Sequence, residues 1–199
     1  MSFKIDTFTS KLTKGGALGS LFECEVFNAK GLVDDIANFK FMCKGAALPA
    51  STIEAGTVTY MGRSLQIPGN RAAQQLNTDV YNDEGMEIRN HIENWMELIN
   101  SHSSNKRAQN MAAIGSYTGS LKVKQLSKEG TKIAKTYEFI DAWPSSCAEI
   151  ALSWDTNDIE TFAVTWEYSY WKSTDSRVCL LYTSPSPRDA TLSRMPSSA

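Results

Sequence analysis

The sequence predicts a mainly β protein, an antiparallel β-sandwich or barrel with one flanking α-helix at about residues 85–100. Two observations support this prediction. Much of the chain consists of short segments in which apolar and polar residues alternate, the two-residue period of half-buried strands. One segment instead repeats its apolar residues at helical spacing. Regularly spaced short strands with turn signals between them are typical of sandwiches and barrels.

Alternating residues mark the segments that we expect to be strands. In the first segment, Phe22, Cys24 and Val26 alternate with two glutamates, so one face of the strand would be apolar. Gly62 lies among polar residues between two alternating runs, which indicates a hairpin turn. The expected strands lie at 22–26, 39–43, 57–67, 76–81, 121–125, 133–140, 150–154 and 162–168.

The predicted helix is defined by an apolar stripe at helical spacing. Its members are Ile88, Ile92, Trp95, Met96 and Ile99. Residues 101–118 are polar and rich in small residues, and we expect them to form a long loop. Residues 1–20 contain three glycines and are expected to be a flexible N-terminal arm. The remaining residues, 21–178, are long enough for a single β-domain with its own core.

The last 21 residues, 179–199, differ from the rest of the chain. They contain three of the six prolines and show neither strand nor helix periodicity, so an unstructured tail is expected. The peptide CLLYTSPSPRD back-translates into a transposase adapter of sequencing libraries, and SRMPSSA back-translates in the same frame into the flow-cell adapter that follows it. We therefore interpret this segment as translated adapter, the alternative being a natural disordered tail, and exclude it from the fold prediction.

Charge and composition exclude several functional classes. The net charge is −2, and it becomes −3 without the tail, which contributes two arginines and one aspartate. Tight nucleic-acid binding requires a basic surface and is therefore not expected. The N-terminus lacks the apolar segment of a signal peptide, and no stretch is apolar enough to span a membrane. Four cysteines do not suggest a disulfide scaffold, so we expect cytosolic synthesis with reduced thiols.

The sequence offers little catalytic or metal-binding chemistry. It has two histidines, His91 and His102, and no Cys-x-x-Cys or His-x-x-x-His spacing for zinc. Cys24 and Cys43 occupy apolar positions of expected strands, where thiols act as small hydrophobes. The acidic clusters at 79–84 and 155–160 match a helix N-terminus and a polar turn, respectively. We predict no catalytic residue, no metal site and no cofactor.

Six short motifs, in order along the chain, resemble the tail tube proteins of contractile-tailed bacteriophages. The resemblance extends over roughly residues 20–171 and weakens at 1–20 and 101–118. The motifs are FKFMCKGAALPAS (39–51), VTYMGRSLQIPGNR (58–71), VYNDEGMEIRNHIENW (80–95), AWP (142–144), LSWD with IETF (152–155 and 159–162) and YW (170–171).

This resemblance implies a structural, non-enzymatic subunit. Hexameric rings would stack into a hollow tube, and strands of neighbouring subunits would form the wall of a channel that conducts the genome during injection. The implied partners are further copies of the chain, the tail sheath protein, baseplate and tube-terminator proteins, and the tape-measure protein, with DNA passing through non-specifically. The implied location is the virion tail, with assembly in the host cytoplasm.

Residues 48–68 are the segment we expect to pack between subunits or rings. The segment combines apolar side chains with few charges, and it resembles the stacking element of the family. The alternative is a hairpin folded against the core of its own subunit. The interface candidates are Leu48, Pro49, Ile53, Val58, Met61, Arg63 and Pro68.

An acidic or neutral channel is the second structural expectation, because a basic wall would hold phosphates and slow the genome. Candidate channel residues are Glu23, Glu25 and Asp79. Two other functions stay open. A tube subunit of a contractile secretion system is built on the same plan, and genes for sheath, tape measure and capsid nearby would favour the phage. A carbohydrate-binding or hydrolytic β-domain would instead be a monomer that binds oligosaccharide.

Overall fold

The predicted mainly β fold is confirmed by a computed structural model, which describes residues 5–12, 15–27, 36, 38–72, 74–155 and 157–175. The helices are α1 (Ile5–Lys11), α2 (Phe39–Met42), α3 (Glu87–Ile99) and α4 (Ile114–Tyr117), with a 3₁₀ turn at Gln109–Met111. The strands are β1 (Phe22–Phe27), β2 (Cys43–Ala47), β3 (Thr52–Tyr60), β4 (Arg63–Ala72), β5 (Leu76–Tyr81), β6 (Gly119–Leu126), β7 (Ile133–Cys147), β8 (Thr161–Glu167) and β9 (Tyr170–Asp175).

Seven strands form two antiparallel layers that share one long strand. The strand order is β1-β6-β7-β8-β5-β2, and β9 pairs with β7. The first part of β7 pairs with β6 and β9, whereas residues 143–147 pair with β8. The strand changes layer at Asp141, which has a positive φ of 55°. In the described residues β1 and β2 are not hydrogen-bonded to each other, so the layers form an open sandwich rather than a closed barrel.

The core lies between the layers and follows directly from the alternation in the strands. On β8, Phe162, Val164 and Trp166 are buried, and they pair across the sheet with the inward residues of β5. The opposite layer contributes the inward residues of β1, β6 and β7. These core residues are Cys24, Val26, Leu121, Val123 and Phe139.

Helix α3 closes the interior with the stripe that the sequence predicts. Ile88, Ile92 and Trp95 are buried, and the indole Nε1 of Trp95 donates a hydrogen bond to the carbonyl of Tyr117 at 2.7 Å. Asp83 Oδ1 accepts the backbone N–H of Glu87 at 3.1 Å and so caps one of the free donors at the helix start. Within the acidic cluster at 79–84, the expected role at a helix N-terminus is therefore confirmed for Asp83.

Two expected strands are wrong. Residues 39–42 form α2, a single helical turn that buries Phe39 against the core and leaves Phe41 75% exposed, so strand β2 begins only at Cys43. Residues 150–154 form part of a loop, in which Leu152 and Trp154 point to solvent and Ile150 packs partly against the core. Alternating spacing alone therefore does not establish that a segment pairs.

The segments outside the sandwich contain short helices. The predicted arm, residues 1–20, includes α1, and the predicted loop at 101–118 includes the 3₁₀ turn and α4. Strand β9 was not expected from periodicity. The predicted tail, residues 179–199, lies outside the described residues.

Candidate assembly surface

The hairpin of β3 and β4 extends from the sandwich as a sheet of its own. Within the described residues it is a two-stranded sheet hydrogen-bonded to no other strand, and its nine-residue strand β3 corresponds to a length of about 30 Å. A two-stranded hairpin alone is at best marginally stable in water. Of the described elements, the hairpin is therefore the one that most needs an external partner.

The tip of the hairpin has the tight turn that the sequence predicts. Tyr60 pairs with Arg63, and the two residues between them both have positive φ, 46° at Met61 and 76° at Gly62. Two positive φ angles define the turn whose twist matches that of the flanking strands. Because this turn points Met61 outward, its side chain is 89% exposed.

The hairpin is amphipathic across its two faces. Val58 pairs with Leu65, Gly56 with Ile67, and Tyr60 with Arg63, which places apolar side chains on one face. The other face carries threonine, serine and glutamine, and Thr57 Oγ1 donates to Gln66 Oε1 at 3.0 Å. The large apolar residues are all exposed: Val58, Tyr60, Leu65 and Ile67. This apolar face does not fold against the core of its own subunit.

Each predicted interface residue lies on this hairpin or on the segment leading into it. Leu48 and Pro49 precede β3, Met61 lies at the tip, and the others lie on the strands. The prediction missed Tyr60, Leu65 and Ile67, although the strict alternation of residues 58–60 and 65–67 contained the signal. The exposure of these apolar side chains distinguishes the hairpin from an ordinary strand whose apolar face is buried.

The predicted channel residues lie on different layers. Glu23 and Glu25 are on β1, next to the lysines of β6, and the Lys124 Nζ–Glu25 Oε1 distance is 2.5 Å. Lys122 Nζ lies 3.2 Å from Glu138 Oε1 on β7. Glu138 in turn lies opposite Lys172 on β9. Asp79 lies on β5 in the other layer, so it does not join this group. The outer face of the first layer thus presents alternating charges of both signs.

The pKa values of two thiols are shifted because Cys24 on β1 and Cys43 on β2 are hydrogen-bonded to each other. A hydrogen bond with the Cys24 thiol is the main reason why the pKa of Cys43 is lowered. The same hydrogen bond, together with burial, raises the pKa of Cys24 well above its ordinary value. The Cys43 thiol donates to the Gly45 carbonyl at 3.3 Å. The two thiols are thus held in a defined arrangement at the edge of the core.

The described part of the chain contains no group of three or more histidine, cysteine, aspartate or glutamate side chains arranged to hold a metal ion. His102 lies 3.6 Å from Glu97 on the surface beyond α3, measured from Nε2 to Oε2. Among the described helices, none combines the length and apolarity needed to cross a membrane.

A sandwich domain with an unsupported, apolar hairpin is typical of the class of structural proteins that assemble with other chains. The comparison with known families agrees with this class. The model of the family described as "Phage tail tube protein" matches residues 6–174. The chain therefore belongs to the phage tail tube protein family.

Similar proteins come from two phages. Tail tube protein gp19 of Enterobacteria phage T4 is 31% identical over 140 residues, which cover 68% of this chain and 82% of the relative. Tail tube protein gp19 of Enterobacteria phage T6 matches with the same identity and coverage.

Solved structures share the fold at much lower identity. The PVC sheath/tube terminator of an extracellular contractile injection system has a TM-score of 0.59 at 12% identity, covering 80% of this chain and 96% of that chain. A chain of the PVC sheath–tube complex in its extended state has a TM-score of 0.58 at 15% identity, covering 84% of this chain and 97% of that one.

Proposed function

We propose that this chain is the structural subunit of a phage tail tube, in which hexameric rings stack into a hollow tube that conducts the genome during injection. The proposal assigns the chain no catalytic role. The family membership and the identity to phage tail tube proteins support it. The observation on which it depends most is the apolar face of the β3–β4 hairpin, which a lone subunit leaves in water.

The hairpin is proposed to pack on a neighbouring subunit or ring. Burying Val58, Tyr60 and Leu65 removes apolar surface from water. Each Å² of apolar surface buried stabilises the contact by roughly 25 cal/mol. The polar face can remain at the rim, where side chains stay solvated. Arg63 at the tip adds a charge that fixes the orientation of the contact.

Free strand edges supply a second reason to assemble. In the described residues, β1 pairs only with β6, β2 only with β5 and β9 only with β7. Each of these strands leaves a row of backbone donors and acceptors unpaired, which invites pairing with another chain. Closed cyclic symmetry satisfies such edges in a ring, and contacts between unlike faces above and below extend the ring into a tube.

The proposed partners follow from this assembly. Other copies of the chain form the tube, the tail sheath surrounds it, and baseplate and tube-terminator proteins bind its ends. The tape-measure protein and then DNA occupy the channel. The proposed location is the tail of the virion, after assembly in the host cytoplasm.

Electron microscopy and a single substitution test the function. Negative-stain images and solution mass of the concentrated protein should show rings or tubes. Met61→Asp should stop tube growth, because it places a charge at the exposed tip of the hairpin without touching the core. A strictly monomeric protein, with no tubes even after sheath or baseplate proteins are added, would contradict the proposal.

A tube subunit of a contractile injection system is the second candidate, because solved structures of such systems share the fold. Sequence identity favours the phage, since the phage relatives are 31% identical and those structures only 12–15%. Capsid genes beside the gene for this chain would support the phage assignment. Effector genes there, without capsid genes, would support the second candidate.

A further inference from the structure

The loop between β7 and β8, residues 148–160, presents large apolar side chains to solvent. Trp154 is 105% exposed, Leu152 78% and Ile159 70%. So exposed a tryptophan is unusual in a chain whose other indole groups include two fully buried ones, Trp95 and Trp166. Such an exposed cluster marks a surface that binds a partner.

The same loop is acidic. Its four charged residues are all carboxylates: Glu149, Asp155, Asp158 and Glu160. Glu160 Oε2 accepts a hydrogen bond from Asn82 at 3.0 Å, whereas Asp155 and Asp158 are exposed and lie between Trp154 and Ile159 along the chain. The surface that complements this loop must therefore combine apolar or aromatic groups with positive charge.

A cavity of about 530 Å³ at the base of the β3–β4 hairpin has this combination. Tyr168, Tyr170 and Trp171 provide its aromatic wall. Arg71 also lines the cavity, its guanidinium hydrogen-bonds to Ser51, and none of the other described lining residues is charged. An indole fits beside tyrosines and arginine through ring contacts and cation–π attraction.

The loop and the cavity lie at opposite ends of the same strand. The loop leads into β8 at Thr161, and the cavity begins just beyond Glu167, where β8 ends. Seven residues of strand separate them by about 20 Å. A subunit with complementary surfaces at its two ends cannot satisfy both by itself, but it can bind the next copy head to tail.

We infer that the Trp154 loop of one copy docks into the Arg71–Tyr170 cavity of the next copy. Trp154 enters the aromatic wall, and Asp155 and Asp158 face Arg71. This contact deepens the proposed function, on which it rests, because it names a second pair of surfaces that joins copies of the chain. It is separate from the apolar face of the hairpin, although Arg71 belongs to the same strand, β4.

Photo-crosslinking identifies what the loop contacts. A benzophenone amino acid replaces Leu152 in the full chain, which leaves Trp154 in place, and the concentrated protein is irradiated and digested. We expect crosslinks between subunits to peptides that contain residues 71–74 or 168–173. Crosslinks to another surface of the chain, or crosslinks only to added sheath protein, would overturn the inference.

Substitutions measure the contribution of the contact. Trp154→Ala should raise the protein concentration needed for assembly at least about tenfold, since buried tryptophans are frequent hot spots of interfaces. Asn157→Ala, in the same loop, is the matched control and should change that concentration less than about twofold. An unchanged concentration for Trp154→Ala would count against the docking.

A charge swap separates docking from loss of folding. Arg71→Glu should weaken assembly, and combining it with Asp155→Arg and Asp158→Arg should restore at least part of it, because the attraction is then reversed in sign. A triple variant that assembles no better than Arg71→Glu alone would contradict the pairing. If tubes form but these variants and crosslinks show no contact, the docking is wrong and the tube function stands. If no rings or tubes form under any condition, both are wrong.

Discussion

Trp166 on β8 contacts strand β5 through a hydrogen bond and helices α2 and α3 through its ring. Its indole Nε1 donates a hydrogen bond to Thr78 Oγ1 at 2.9 Å, and both groups are buried. Its ring makes edge-to-face contacts with Phe39 at 6.2 Å and with Trp95 at 5.9 Å, measured between ring centroids. A buried indole needs a partner for its N–H, and here that partner comes from the adjacent strand of the same layer.

Thr78→Val should destabilise the subunit by about 1–3 kcal/mol, because it leaves the Trp166 N–H buried without an acceptor. Chemical denaturation of the unassembled protein measures this free energy of unfolding. Thr165→Val is the matched control: Thr165 lies on the outer face of the same layer and should change stability by less than about 0.5 kcal/mol. Equal unfolding free energies for the two variants would show that the buried hydrogen bond contributes nothing.

The three thiols in the described residues of the folded protein should react with iodoacetamide in a fixed order. The thiolate is the reactive form, so the lowered pKa of Cys43 starts its alkylation at a lower pH than that of Cys147, whose pKa is raised by burial. Cys24 is fully buried and should react only when the protein unfolds. Peptide mass spectrometry across pH 6–9 measures the order, and denaturant should abolish it. Faster labelling of Cys24 than of Cys43 would contradict this arrangement.

At the scale of elements, the alternating sequence of the hairpin meets two requirements, pairing of its strands and separation of its side chains into two faces. Its strands pair with each other through the backbone, and its side chains divide into an apolar and a polar face. In a sandwich strand such as β8, the apolar face is covered by the core of the same subunit. In the hairpin the corresponding face is left open, and we propose that the pattern that usually specifies folding here specifies association.

Leu65→Asp should abolish tube formation, whereas Ser64→Asp should permit it. The two residues are neighbours on β4 and point to opposite faces of the hairpin. A carboxylate on the apolar face would be buried in the assembled contact without a partner, at a cost of several kcal/mol, whereas one on the polar face stays in water. Electron microscopy of both variants at matched concentrations decides between them. Tubes from Leu65→Asp would exclude the apolar face from the contact.

The elements predicted correctly are those whose signal is local. The stripe of Ile88, Ile92 and Trp95 belongs to α3, and the turn at Gly62 needs its positive φ wherever the hairpin packs. Residues 39–42 were misjudged because Phe39 and Phe41 have strand spacing, yet burial of Phe39 under the layers favours a helical turn. That choice depends on tertiary packing, which periodicity does not contain.

The candidate site could be predicted only in part for a related reason. Sequence identifies an apolar segment such as 48–68, but it does not distinguish apolar residues that face a core from those that face a partner. Trp154 illustrates this, since it was assigned to a strand and is fully exposed. Only the position of the residue relative to the two layers reveals the difference.

At the scale of the whole molecule, charge is distributed so that neither layer presents a basic outer face along its described strands. The first layer carries three acidic and three basic side chains there: Glu23, Glu25, Glu138, Lys122, Lys124 and Lys172. The second layer carries Asp79 and Glu167 against Lys44, whose Nζ lies 5.5 Å from the Tyr81 ring centroid. Whichever layer faces the bore of a tube, its outer face is neutral or acidic.

The bore of an assembled tube should therefore be neutral or acidic. Phosphates would gain no counterion release on such a wall, so DNA should pass without binding. A cryo-electron microscopy structure of the tube, with its surface potential, tests this directly. Retention of DNA by intact tubes at low salt, or a continuous bore lined by lysine and arginine, would contradict it.

The shared strand β7 also determines how the subunit bears mechanical load. Its 15 residues run without interruption through both layers, turning at Asp141. Two stacked sheets joined only by side-chain packing can slide over each other when one is pushed. Here a force applied to one layer passes to the other along covalent backbone, and shear must bend the strand at Asp141 before the layers separate. We therefore expect the subunit to respond to thrust along either layer as one body rather than as two sheets that slide.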